Sequence, residues 1–302
     1  MLGKTNRGKD YMDKIKNTEP NIRDYPKARY YSYTLLNYLK RIEDLKNGLY
    51  RGQEEFFENG LTPKIFRISK EETGVIFNNE KELDKEKKII NSFKVRAIPH
   101  LEFIPNENDE LKWLAIAQHY GLRTRLLDWT QNALIALWFC VKDGEPKEII
   151  KKVEKSKRGY GVVYFYQYNE NNIFDKKDEV NDKDKKNPFE VEYTKIYRPS
   201  HISNRIIAQS SAFTLHKWDK KNKSSISLEK EQGGRITIIK IPYGSFELIK
   251  NQLDKHGINS ATVFPDLRGI CKYLNYLEFE IPETEKKVIG KLDDKMNKKR
   301  KI

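Results

Sequence analysis

Two runs leave little freedom about where the core of this chain lies: NALIALWFCV at 132–141 and GYGVVYFYQY at 159–168. The first is apolar on every side and predicts a buried helix. The second is dense in β-branched and aromatic residues and predicts a central strand. Elsewhere the apolar residues are spaced out: the 302 residues are 37% hydrophobic and 34% charged. Such a chain can bury one sizeable core contributed by a few segments, with long solvated loops and faces between them.

Residues 1–27 read as a polar lead-in. From Ala28, Tyr31, Leu35, Leu39 and Ile42 recur at helical spacing up to Asn47-Gly48, and LYRGQ at 49–53 reads as a short strand. Residues 78–95 predict an exposed helix, and 109–120 a second one closed by Gly121. LRTRLLDWT at 122–130 reads as a loop in which Asp128 and Gln131 form a capping pair for the buried helix. Residues 169–187 are a charged insertion expected to be mobile. VEYTKIY, RIIAQSSAFTLH and GRITIIKIP predict further strands, GSFELIKNQLDKHGI a helix, and ATVFPDLRGICKYLNYL a strand end leading into a last helix. Two helical blocks before the main strand cluster predict an α+β domain with a mixed central sheet over 28–285, followed by a basic tail, 286–302.

No stretch approaches the roughly 18 consecutive apolar residues of a membrane span, and the N-terminus lacks the apolar region of a signal peptide, so no membrane partner and a cytoplasmic location are expected. Cys140 and Cys271 are both expected to be small buried apolar residues. The net charge is +14, and residues 286–302 hold eight Lys or Arg against two Asp or Glu. Such a tail attracts RNA or DNA through phosphate neutralisation, or is simply a solvated end.

Several polar residues are candidates for a site. Arg51 followed by Gly52 can present a guanidinium to a phosphate while the glycine lets a ligand approach the backbone, or Arg51 pairs with an internal Asp. His119 and Tyr120 end a helix whose C-terminus favours the imidazolium form, and Asp128 is placed to orient His119; alternatively Asp128 caps the next helix with Arg125 as its ion-pair partner. If NRIIAQSS is a strand, Arg205, Gln209 and Ser211 share one face. Asp266 follows Pro265 at a junction, as a helix cap or as an acid. The five histidines are scattered without metal-ligand spacing, so no metal is expected.

Four segments, Tyr50-Arg51-Gly52-Gln53, AQHYGL with TRLLDWT at 117–130, NRI with QSSAFT at 204–214, and Phe264-Pro265-Asp266-Leu267, together resemble the FRG domain family. The chain departs from that pattern at Arg123, where proline is usual, and at Ser211 or Ala212, where glycine is usual. The family itself implies no settled activity. The order of Arg51, Ser210-Ser211 and a late acid, Asp266 or Glu280, also resembles mono-ADP-ribosyltransferases. That likeness implies an ADP-ribosyltransferase-like fold and NAD as co-substrate, in a toxin or phage-defence effector that modifies a macromolecule, with nucleic acid the favoured acceptor and an antitoxin as a possible partner. His119, Asp128 and Asp266 are then the catalytic candidates, and Arg51, Gly52, Tyr120, Arg125, Gln209 and Ser211 the NAD-binding ones. The alternatives are a non-catalytic module that binds nucleic acid or a nucleotide, and a metal-independent nuclease using His119. One site demands one pocket, expected to be lined by Arg51 and by Gln209 or Ser211, with His119 or Asp128 at its wall.

Overall fold

The structure, a computed structural model, describes residues 29–57, 60–67, 80–101, 103–143, 159–174, 187–200, 203–218, 225, 227–231 and 235–280. The lead-in 1–27, the tail 286–302 and most of the insertion lie outside them. Seven strands form one sheet: β1 (Arg29–Tyr31), β2 (Gly48–Gln53), β3 (Leu126–Thr130), β4 (Tyr160–Gln167), β5 (Lys195–Tyr197), β6 (Ser211–Leu215) and β7 (Ile236–Pro242). Their order is β1-β7-β4-β2-β3-β6-β5, with β1 parallel to β7 and every other pair antiparallel. The helices are α1 (Leu35–Ile42), α2 (Glu80–Ala97), α3 (Glu110–His119), α4 (Ala133–Val141), α5 (Asn204–Ala208), α6 (Leu228–Glu231), α7 (Phe246–Lys255), α8 (Ser260–Val263) and α9 (Leu267–Asn275). The fold is α+β with a mixed sheet, as the patterning predicts.

The central strand β4 is buried on both faces. Val163 and Phe165 meet Ile135 and Trp138 of α4 and Phe246 and Ile249 of α7, while Val162, Tyr164 and Tyr166 join Leu49, Leu127, Trp129, Leu61 and Leu228 on the opposite face. A third cluster sets Leu126, Phe213 and Leu215 against Ile90 of α2 and Leu111 and Leu114 of α3. Tyr50 pairs with Thr130, so by alternation Leu126 and Asp128 share the α4 face with Tyr50. One face of the sheet therefore carries two groups of helices, α4 with α7 over one half and α2 with α3 over the other.

Several expectations from sequence change. The helix predicted from Ala28 is a strand followed by a shorter helix, because Thr34 caps α1 by accepting from Asn37 N at 3.1 Å. The loop predicted at 122–130 contains β3; Leu126 and Leu127 are buried on opposite faces, which hides the alternation. The cap of α4 is Asn132, whose side chain accepts from Leu134 N and Ile135 N at 2.9 and 3.3 Å, and not Asp128. The strand end predicted before Phe264 is the helical turn α8. Cys140 is buried as expected, whereas Cys271 is exposed. The start of the insertion is ordered: a turn at Glu170–Asn172 leads to a bridge between Ile173 and Ile196.

Candidate functional site

The segment predicted as one strand from Asn204 to Leu215 is helix α5 and strand β6, joined at Gln209 and at Ser210, whose φ is 45°. Ser203 starts the helix by accepting from Ile206 N at 3.3 Å. A helix here swings Arg205 away from Gln209 and Ser211 and toward the end of α3. Its Nη1 donates to the His119 carbonyl at 3.4 Å, and its guanidinium lies 4.4 Å from the centre of the Phe264 ring.

These elements enclose a cleft of about 360 Å³ whose walls include Phe103, His119, Tyr120, Ser203, Arg205 and Asp266. The volume suits a nucleotide-sized ligand. Phe103 and Tyr120 are 54% and 65% exposed, so two aromatic surfaces stand free at the rim of a polar floor. The His119 and Tyr120 rings meet edge to face, 5.3 Å apart. Asp266 caps α9, accepting from Gly269 N at 2.8 Å, and keeps its second oxygen for other work. Burial lowers the His119 pKa to about 4, helped by the Arg205 cation and opposed by Asp128 and Asp266. Desolvation and a cation thus outweigh the helix C-terminus, and His119 is a neutral imidazole at pH 7 rather than the expected imidazolium.

Asp128 stands on β3 where the two helical groups part. Its side chain is 53% exposed and accepts from Gln118 Nε2 at 2.8 Å, while Gln118 Oε1 accepts from the Thr124 hydroxyl at 2.8 Å. From the neighbouring strand, Arg51 Nη1 donates to the Asp128 carbonyl at 2.6 Å and lies 3.9 Å from Oδ2. Among the described residues no hydrogen bond joins Asp128 to the His119 ring; the two communicate through charge. Arg51 and the cleft are therefore neighbours linked by Asp128, but Arg51, Gln209 and Ser211 do not line the cleft.

The remaining candidates have structural partners. Arg125 is fully buried against Glu86 of α2, with Nε and Nη2 donating to one carboxylate oxygen at 3.0 and 2.6 Å and the Arg125 amide donating to the other at 3.0 Å. A ligand has no access to it, and its ion-pair partner is Glu86 instead of Asp128. Gly52 admits helix α4, not a ligand: a Cβ there would lie 1.8 Å from the Ala136 carbonyl oxygen. Gln209 Nε2 donates to the Val263 carbonyl at 3.1 Å, tying β6 to α8, and Ser211 pairs with Thr130 in the ladder.

Sequence reasoning leaves out Phe103 and Ser203, and it places Arg205 on the wrong face. The signal for Arg205 was the Ser203 cap, which starts a helix three residues before Ile206. Among the described residues no group of three or more His, Cys, Asp or Glu is arranged to hold a metal ion, and no helix is long and apolar enough to cross a membrane.

A seven-stranded α+β sheet with helices parted over an acidic strand residue, and an Arg-Gly pair on the next strand, defines the architecture. Residues 46–148, about a third of the chain, match the family model of the FRG domain. The match takes in β2 through α4, with His119, Tyr120 and Asp128, and stops short of Arg205 and Asp266. No curated protein and no solved structure matches the chain.

Proposed function

We propose that the cleft binds NAD and transfers its ADP-ribosyl group to a macromolecule, with nucleic acid the acceptor that the basic charge of the chain favours. One observation carries the reading: a neutral imidazole and a guanidinium share one open cleft with the Asp266 carboxylate and two free aromatic faces. Arg205 supplies the charge-assisted donor that a phosphate demands, and Tyr120 and Phe103 supply faces for a base or nicotinamide ring. In the reaction the bond from ribose C1′ to the nicotinamide nitrogen breaks, its electron pair leaving with neutral nicotinamide. An acceptor nitrogen or oxygen forms the new bond to C1′, and its proton passes to the His119 imidazole. Asp128 and Asp266 lie near enough to His119 to favour the imidazolium that results.

Purified protein incubated with NAD and total cellular RNA, DNA and protein should release nicotinamide and add the mass of ADP-ribose to one of them. His119→Gln should lower kcat by about 10²- to 10⁴-fold with the fold intact, and Arg205→Gln should act mainly on KM for NAD. The wild-type rate should fall as pH drops toward 4, where His119 becomes protonated. No nicotinamide release under any of these conditions rejects the reading. The same imidazole and guanidinium also suit metal-independent cleavage of a phosphodiester, and mass separates the two: cleavage shortens the chain, transfer makes it heavier.

A further inference from the structure

On the sheet face opposite the cleft, Arg51 of β2 pairs with Tyr164 of β4, which brings their Cβ atoms to about 5 Å. Arg51 Nε, Tyr164 Oη and His216 Nδ1 are buried there with no hydrogen-bond partner among the described residues. Tyr164 and His216 are 0% exposed. His216 Nε2 has a partner that can either donate or accept. Trp129 Nε1 donates to Thr214 Oγ1 at 2.9 Å, and Thr214 Oγ1 lies 2.8 Å from His216 Nε2. In the tautomer in which the threonine proton goes to Nε2, the imidazole proton is on Nδ1. In that tautomer these three unmet atoms can all donate, and two unmet acceptors, Gln53 Oε1 and Glu229 Oε2, belong to the same cluster.

Arg67 adds a second guanidinium. Its Nη2 donates to the Gly60 carbonyl at 2.6 Å and its Nε to the Thr62 carbonyl, which holds the head near Tyr164. Burial and then Arg51 bring the Arg67 pKa to about 10, while burial and then Arg51, Arg67 and Arg125 bring that of His216 to about 3. Positive potential is concentrated there. Glu229 answers part of it, with Oε1 accepting from Leu61 N at 3.0 Å and Oε2 buried without a hydrogen-bond partner among the described residues. Each buried donor without a partner is destabilising, because its desolvation is not compensated. A water has two acceptor positions and two hydrogens of its own to place, whereas a phosphate group offers several acceptor oxygens and no donor. Gln53 Oε1, also unmet, gives a place for a bridging water or a protonated phosphate oxygen.

We infer that Arg51, Arg67, Tyr164 and His216 form a second, buried anion site, and that its ligand is a phosphate or diphosphate group, free or carried by a nucleotide. The inference stands without the NAD reading of the cleft. Calorimetry on the full chain at low salt, with inorganic pyrophosphate and with ADP, tests it. Both should bind, tighter binding of ADP assigning the group to a nucleotide and tighter binding of pyrophosphate to the free anion. Tyr164→Phe and Arg67→Gln should each weaken binding by about tenfold, the loss of one charge-assisted hydrogen bond. Arg205→Gln, on the other face, removes any phosphate contact in the cleft and should leave in place the part of the binding that Tyr164→Phe and Arg67→Gln weaken. In the wild type, pyrophosphate should shift the nitrogen-15 resonance of His216 Nδ1, a readout independent of any variant's folding. The inference is overturned if neither anion binds, if that resonance does not move, or if Arg205→Gln removes binding that Tyr164→Phe and Arg67→Gln retain.

Discussion

Arg125 lies between Thr124 and Leu126 in a segment rich in polar motif residues, which gives it the look of a ligand group. Its partner is Glu86, 39 residues earlier, on a helix whose sequence shows charge on nearly every side, so nothing local marks that one carboxylate as buried. The pair is closed by the Arg125 amide, by Nη1 donating to the Pro188 carbonyl at 3.3 Å and by the Phe189 ring 4.8 Å from the guanidinium. Glu86→Ala should leave a buried cation without its partner and cost about 3–5 kcal/mol, read from the urea midpoint. Pairing that change with Arg125→Met should recover much of the loss; a Glu86→Ala variant as stable as the wild type would show the pair to be idle. His119 and Asp266 were more legible, because a helix end and an Asp after proline are local features. What their sequence context omits is the burial of His119 and, after it, the Arg205 cation, which together lower its pKa.

Gly52 shows the same limit at the scale of elements. The close approach of α4 to β2 reads in the sequence as a glycine that permits contact, without saying contact with what. Gly52→Ala would drive a methyl group into the Ala136 backbone, a position that no rotamer change relieves. The variant should be strongly destabilised, with a large fall in thermal midpoint and weakened packing of Trp138 seen by fluorescence; an unchanged midpoint would mean that α4 sits farther away. The runs at 132–141 and 159–168 were legible because the middle of each, 135–138 and 161–166, is buried without a break, where periodicity is not needed. The strand β3 was not, since its apolar residues serve two faces at once. Nor was the break at Gln209, where a five-residue helix and a left-handed Ser210 interrupt a β-rich composition. Between β2 and β3 the ladder registers at Tyr50 and Thr130, and the Arg51 guanidinium takes the Asp128 carbonyl beyond it. A side chain there replaces a backbone rung, an arrangement that needs the tertiary fold to exist.

At the scale of the whole molecule the buried His216 and the half-buried His119 contribute to the response to acid. An unfolded histidine titrates near 6.5, whereas His216 in the folded protein does so at about 3, through burial and then its three arginine neighbours. Between those values the unfolded chain binds a proton that the folded one refuses. The stabilisation is complete above about pH 6.5 and is lost as pH falls toward 3, at up to about 1.4 kcal/mol per pH unit. His119 acts with the same sign down to about 4. Urea midpoints measured from pH 7 to pH 4 should therefore decline more steeply for the wild type than for His216→Gln, and equal slopes would contradict the assignment. The sheet has a different consequence for how these molecules meet one another. Its outer strands, β1 and β5, are three residues long and each begins with a cation, Arg29 or Lys195. Among the described residues a neighbouring molecule finds a short stretch of backbone at either side, already bridged by Ile173 at β5, so edge-to-edge stacking into fibrils has no long template from which to grow.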